Sequence, residues 1–221
     1  MRNFTLAAAA ATLMAVATPA AANVIVLDFE GLDNLEAVGG FYDGGTSGNG
    51  NTGTDFGIAF SPDTLAVIDQ DAGGGGNFAN EPSPDTIMFF LSGSQAVMNV
   101  AAGFDTGFSF FYTSLTEDAF VNVYSGLDAT GDILATLTLG PTVNGCSGDP
   151  TGQFCEFEAV GAAFAGVAFS VAFGGVADQV GFDDITFGSA VAGGAIPVPA
   201  AIPLFLTGLA GAAAIRRRRA A

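Results

Sequence analysis

Val167-Ala-Phe-Ser-Val-Ala-Phe173, a Gly-Gly-Val-Ala-Asp-Gln break, then Val180-Gly-Phe-Asp-Asp-Ile-Thr-Phe187 is the stretch that decides the fold. In its first half Val167, Phe169, Val171 and Phe173 alternate with Ala168, Ser170 and Ala172. A period of two places large side chains on one face of a strand and small ones on the other. The second half alternates as well, but changes phase. Val180 and Phe182 share one parity, and Ile185 and Phe187 the other. One extra residue at Asp183-Asp184 would return all four to one face, so the spacing predicts a β-bulge there.

Working outward, the same period recurs. Val24 to Glu30, Gly107 to Tyr112, Ala119 to Tyr124 and Ile133 to Leu139 alternate, and Thr86 to Leu91 is a nearly continuous apolar run. Gly57 to Ser61, Leu65 to Asp69, Ala96 to Val100 and Phe154 to Val160 are shorter candidates. About eleven short strands separated by Gly, Asn and Asp turns predict an all-β domain over residues 23–187, a β-sandwich of jelly-roll type. Loops at 39–55 and 71–80 exceed hairpin length and belong at the surface, mobile unless something ties them down. Residues 188–195 read as a linker. There is no internal repeat.

Charge is segregated along the chain. The five basic residues are Arg2 and Arg216 to Arg219, all 22 acidic residues lie between them, and histidine is absent. Residues 23–195 therefore carry about 22 negative charges with no cationic side chain. No salt bridge can form within that span. Phosphate cannot be neutralised, which excludes nucleic acid as a partner. Ser-His-Asp and Cys-His catalysis, a lysine Schiff base and histidine-ligated zinc are excluded too. Cations, neutral sugars and other protein surfaces remain as partners. An enzyme would have to use carboxylates only, as a glycosidase with two of them at a defined separation could. The span lacks the Trp, Lys, Arg and His that usually hold sugar, so the expectation is a non-catalytic protein. For sugar stacking only Tyr42, Tyr112, Tyr124 and exposed Phe are on offer.

Both termini carry export patterns. Arg2, an apolar Ala-rich run from Phe4 to Val16, the Thr18-Pro19 break and Ala20-Ala21-Ala22 have the three parts of a signal peptide, which predicts cleavage by signal peptidase after Ala22. At the other end, 196–215 is an uncharged run of 20 residues followed by Arg216, Arg217, Arg218 and Arg219. Its length is roughly that of a hydrocarbon core, and the arginines act as a stop signal on the cytoplasmic side. Pro197, Pro199 and Pro203 place the helix proper at about 201–215. Export makes a disulfide the default for Cys146 and Cys155, nine positions apart.

Ile196-Pro197-Val198-Pro199-Ala200, the apolar helix and the Arg run, over about 24 residues, resemble the VPLPA variant of the PEP-CTERM sorting signal. Ile stands for Val and Val for Leu in the pentapeptide, and Ala212 to Ala214 occupy positions where larger apolar residues are usual. The resemblance implies processing by an exosortase around Pro197, Pro199 and Ala200, with transient anchoring in the cytoplasmic membrane. It also implies an envelope or extracellular destination linked to exopolysaccharide and biofilm. The bland alternative is an ordinary single-pass anchor.

The closing Gly-Phe-Asp-Asp-Ile-Thr-Phe and the opening Leu-Asp-Phe-Glu resemble the last and first strands of jelly-roll carbohydrate-binding modules. In those modules such carboxylates often share a structural calcium, which implies a site at Glu30 with Asp183 or Asp184. The bland alternative is a set of solvated strand-end carboxylates. Two oxygen-rich loops are further cation candidates: Asp69-Gln-Asp71 to Asn77, and Asp43, Asn49, Asn51 and Asp55. The first lacks the bidentate Glu of an EF-hand. The sequence thus offers an exported, non-catalytic matrix protein first and a calcium-stabilised carbohydrate-binding module second.

Overall fold

The computed structural model describes residues 24–105, 107–142, 146 and 152–192. The signal peptide with Ala22, the sorting segment with Pro197, Pro199 and Ala200, and Arg216 to Arg219 lie outside the described residues. Among the described residues no helix is long and apolar enough to cross a membrane.

The domain is all-β. Its strands are β1 Ile25–Leu27, β2 Ile58–Phe60, β3 Leu65–Ile68, β4 Thr86–Phe89, β5 Gln95–Phe104, β6 Phe108–Ser114, β7 Ala119–Tyr124, β8 Ile133–Leu139, β9 Glu158–Ala162, β10 Ala168–Gly174 and β11 Val180–Phe187. They form two antiparallel sheets. The first runs β3-β4-β11-β6-β9 with β1 also on β11, and the second runs β2-β5-β10-β7-β8. The expected β-sandwich is therefore present.

Alternation builds the core between the sheets. Phe108 and Phe110 of β6 and Phe182 of β11 meet Phe173 of β10, all at or near zero exposure. The Phe173 and Phe182 rings cross edge-to-face at 5.0 Å, and Phe110 meets both within 5.9 Å. Each such pair contributes about 0.5–1.5 kcal/mol beyond its buried area. A second apolar cluster, Val67, Phe78, Ile87 and Phe89, lies apart from this core, with Leu65, Phe154 and Phe157 packed against it. The Cys146–Cys155 disulfide is formed, with Cα atoms 5.1 Å apart, beside Phe154.

The two halves of the deciding stretch fare differently. The register of β11 against β6 shifts between Asp183 and Thr186, and Val180, Phe182, Ile185 and Phe187 are all buried. The phase change was thus a bulge. In β10 the simple alternation fails. The register against β5 shifts between Ala168 and Ser170, so Ala168, Val171 and Phe173 enter the core. Val167 is left exposed before the strand and Phe169 half-exposed.

Candidate functional site

The predicted carboxylates gather where β11 changes partner. One edge of β11 pairs with β6 on both sides of the bulge; the other pairs with β4 at Phe182 and with β1 from Ile185 to Phe187. The bulge lies at this switch, and the backbone there is strained. Phe29 has φ 59° and Asp184 φ 47°, a region that non-glycine residues avoid. A switch of partner leaves peptide groups without a ladder, and buried peptide groups need acceptors. The carboxylates supply them. Glu30, just past β1, accepts from the N–H groups of Asp85 and Thr86 at 2.9 Å each, where β4 begins. Asp183 accepts from the Ser83 N–H at 3.1 Å and from the Asp184 N–H at 2.7 Å.

Asp183 is wholly buried. Burial above all, with the Asp184 charge adding, pushes its carboxyl up to about 8, against the lowering effect of the Ser83 donors. At neutral pH it is mainly the neutral acid. Ser83 Oγ lies 2.8 Å from Asp183 Oδ2 and 3.0 Å from the Asp28 carbonyl. A proton on Asp183 thus completes a relay in which the acid donates to Ser83 Oγ and Ser83 donates to Asp28. Asp184 is raised by burial first, then by the Asp28 and Glu30 charges. Tyr42 closes the site: its hydroxyl accepts from the Phe29 N–H at 2.8 Å, and burial with the Asp28 charge drives its pKa upward.

The three predicted calcium ligands therefore divide. Asp184 shares its field with Asp28 and Glu30, whereas Asp183 bonds to Ser83. Among the described residues no three His, Cys, Asp or Glu side chains are grouped so as to hold a metal ion. As placed, Glu30 and Asp183 act as acceptors for peptide N–H groups.

The loop candidates are also rearranged. Asn49 and Asn51 turn away from Asp43 and Asp55 toward Asp33 and Glu36. The Glu36 carboxylate, 2% exposed, accepts from Ser47 Oγ, the Asp33 N–H at 2.6 Å, the Asn49 N–H at 2.7 Å and Asn51 Nδ2 at 2.9 Å. Burial opposes its charge, but the four donors outweigh it and hold its pKa below the ordinary value. Sequence reasoning missed this hub, which ties down the 39–55 loop. In the other loop Asp69 is buried and pushed up to about 7, first by burial, then by a hydrogen bond shared with Asp71 and by the charges of Glu81 and Asp71.

Beside the second apolar cluster is a cavity of about 190 Å³, walled by Val67, Phe78, Ile87, Phe89 and Phe154, with Asp178 among its lining residues. Of the three tyrosines available for stacking, Tyr42 and Tyr112 are buried, at 4% and 3% exposure. Tyr124 alone stays partly open.

No family model and no curated protein matches the chain. Among solved structures, the K1 cleaved adhesin domain of Lys-gingipain from Porphyromonas gingivalis W83 aligns with 75% of this chain and 97% of its own at 13% identity. The TM-score of 0.37 is too low to define a shared fold.

Proposed function

We propose that the protein is an exported, non-catalytic β-sandwich of jelly-roll type, destined for the cell envelope or extracellular matrix and processed by an exosortase in association with exopolysaccharide. The observation that carries this reading is the segregation of charge: every basic residue lies in a terminal segment with the pattern of a removable signal, and none lies in the domain. The Cys146–Cys155 disulfide supports an oxidising destination. No catalytic chemistry is assigned to the carboxylates, since those drawn together at the strand switch serve peptide N–H groups. Intact-mass analysis of the exported protein tests the proposal. The expected species begins near Asn23 and ends near Ile196 to Ala201. A mature protein that keeps Arg216 to Arg219 would replace the sorting signal with a plain anchor.

A further inference from the structure

The 22 carboxylates avoid one sheet altogether. No strand of β2-β5-β10-β7-β8 contains Asp or Glu. Its inner side chains form the core, so the strands of its outer face carry no charge on a domain that is strongly negative as a whole. That face is furnished with aromatic and amide groups. In β7 the outward residues are Phe120, Asn122 and Tyr124, all half-exposed. Phe120 stands opposite Gly174 of β10. A Cβ built on Gly174 would fall 2.0 Å from the Phe120 ring. The ring therefore lies flat across the strand and turns its other face outward. Asn122 is oriented: its Oδ1 accepts from Thr136 Oγ1 at 2.8 Å, which leaves its NH2 group as a fixed donor. Tyr124 is the tyrosine the core does not consume.

One end of the face is walled. The loop from β7 to β8 folds back over β10 as far as β5. Asp128 exchanges two hydrogen bonds of 2.8 Å with the Asn99 side chain, and the Ala129 N–H donates to Ser170 Oγ at 3.0 Å. Asp128 and Ala129 hold φ of 54° and 55° in succession. Two non-glycine residues in that region persist only where surrounding contacts impose them. Asp128 places a carboxylate against this end of the face, and Asn99 engages it.

We infer that this face binds a neutral polysaccharide, laid across Phe120 and Tyr124 and hydrogen-bonded by Asn122. Ring faces stack on the apolar side of a sugar, and amides and hydroxyls match its alcohols. The charge distribution selects the occupant. An anionic polymer is repelled by the domain's field, and a second copy brings the same charge, whereas a neutral glycan meets only the uncharged sheet. The inference does not depend on exosortase processing, since a protein that kept its tail would present the same face.

Affinity electrophoresis of the exported protein tests it, in native gels cast with dextran, hydroxyethylcellulose or galactomannan, and with alginate as the anionic control. The expected result is retardation by at least one neutral polymer and none by alginate. Tyr124→Ala and the near-isosteric Asn122→Asp should each weaken retardation by about tenfold with unchanged melting temperatures. Free mobility in all three neutral polymers would overturn the inference, as would retardation that both variants retain. Sedimentation showing a dimer that Tyr124→Ala dissolves would overturn it too, reassigning the face to contact between copies.

Discussion

Glu36 and Asp183 are hidden to the same degree, at 2% and 0% exposure, yet their protons behave in opposite ways. Glu36 lies beneath a single loop and collects three donors from it and a fourth from the Asp33 N–H. Asp183 lies at the strand switch with Ser83 and the Asp184 N–H for company and a like charge next to it. Donors win at the first site and burial at the second. Lost accessible surface therefore does not decide whether a buried acid keeps its charge. What decides is how many N–H and O–H groups reach it, against how much apolar bulk surrounds it.

The largest test of this contrast removes the hub. Glu36→Ala strands the donors from Asp33, Ser47, Asn49 and Asn51, and should cost about 3 kcal/mol in urea unfolding at pH 7. Asp183→Asn should cost less, about 1–2 kcal/mol at pH 6: the amide is neutral like the acid it replaces, but its one acceptor oxygen leaves either the Ser83 or the Asp184 N–H without a partner. Equal losses at the two positions would break the comparison.

A pH series sharpens it. The raised pKa of Asp183 means that the folded state keeps a proton the unfolded state has released, from about pH 4 to about pH 8. Stability therefore declines as pH rises through that window. Asp69, raised to about 7, adds to the decline over its lower part. Glu36, lowered, has the opposite sign: its contribution is present above the ordinary glutamate pKa and is lost as pH falls below it. Chemical denaturation across pH 3–9 should show maximal stability on the acid side of neutrality. Asp183→Asn should flatten the alkaline limb except for the shares of Asp69 and Asp184, which are also raised, and Glu36→Gln the acid limb.

The smallest effect concerns the exposed charges. The screening length falls from about 30 Å at 0.01 M salt to about 10 Å at 0.1 M, so self-repulsion weakens and the melting temperature should rise by a few degrees. Sodium and calcium chloride at matched ionic strength should give equal values if screening is the whole effect. A calcium excess that Asp184→Asn removes would mean that Asp28, Glu30 and Asp184 close on an ion.

The sequence read best where structure is local. β7 alternates without a break and β8 from Ala135 onward, both between clear turns, and their bounds were legible to the residue. The bulge in β11 announced itself because it changed the parity of large residues. The shift in β10 did not, since Phe169 and Ala168 are both apolar and either could face inward. The carboxylate partners were out of reach for another reason. Ser83 meets Asp183 across 100 residues and Asn51 meets Glu36 across 15, and no period in a chain encodes a side-chain bond between loops. The outer face of the second sheet was half legible: its tyrosine was among three candidates, and only the fold shows which two the core uses.

The hydrogen-bonding of β11 to both β1 and β6 also has a kinetic meaning. The first strand of the domain finds its ladder only on the last, so the sheet to which β1 belongs cannot be completed before β11 is available. A topology dominated by such distant pairings folds slowly. A chain threaded through a membrane from its N-terminus could pair β3 with β4 and β7 with β8 early, but could finish the second sheet only once β10 had crossed and the first only once β11 had.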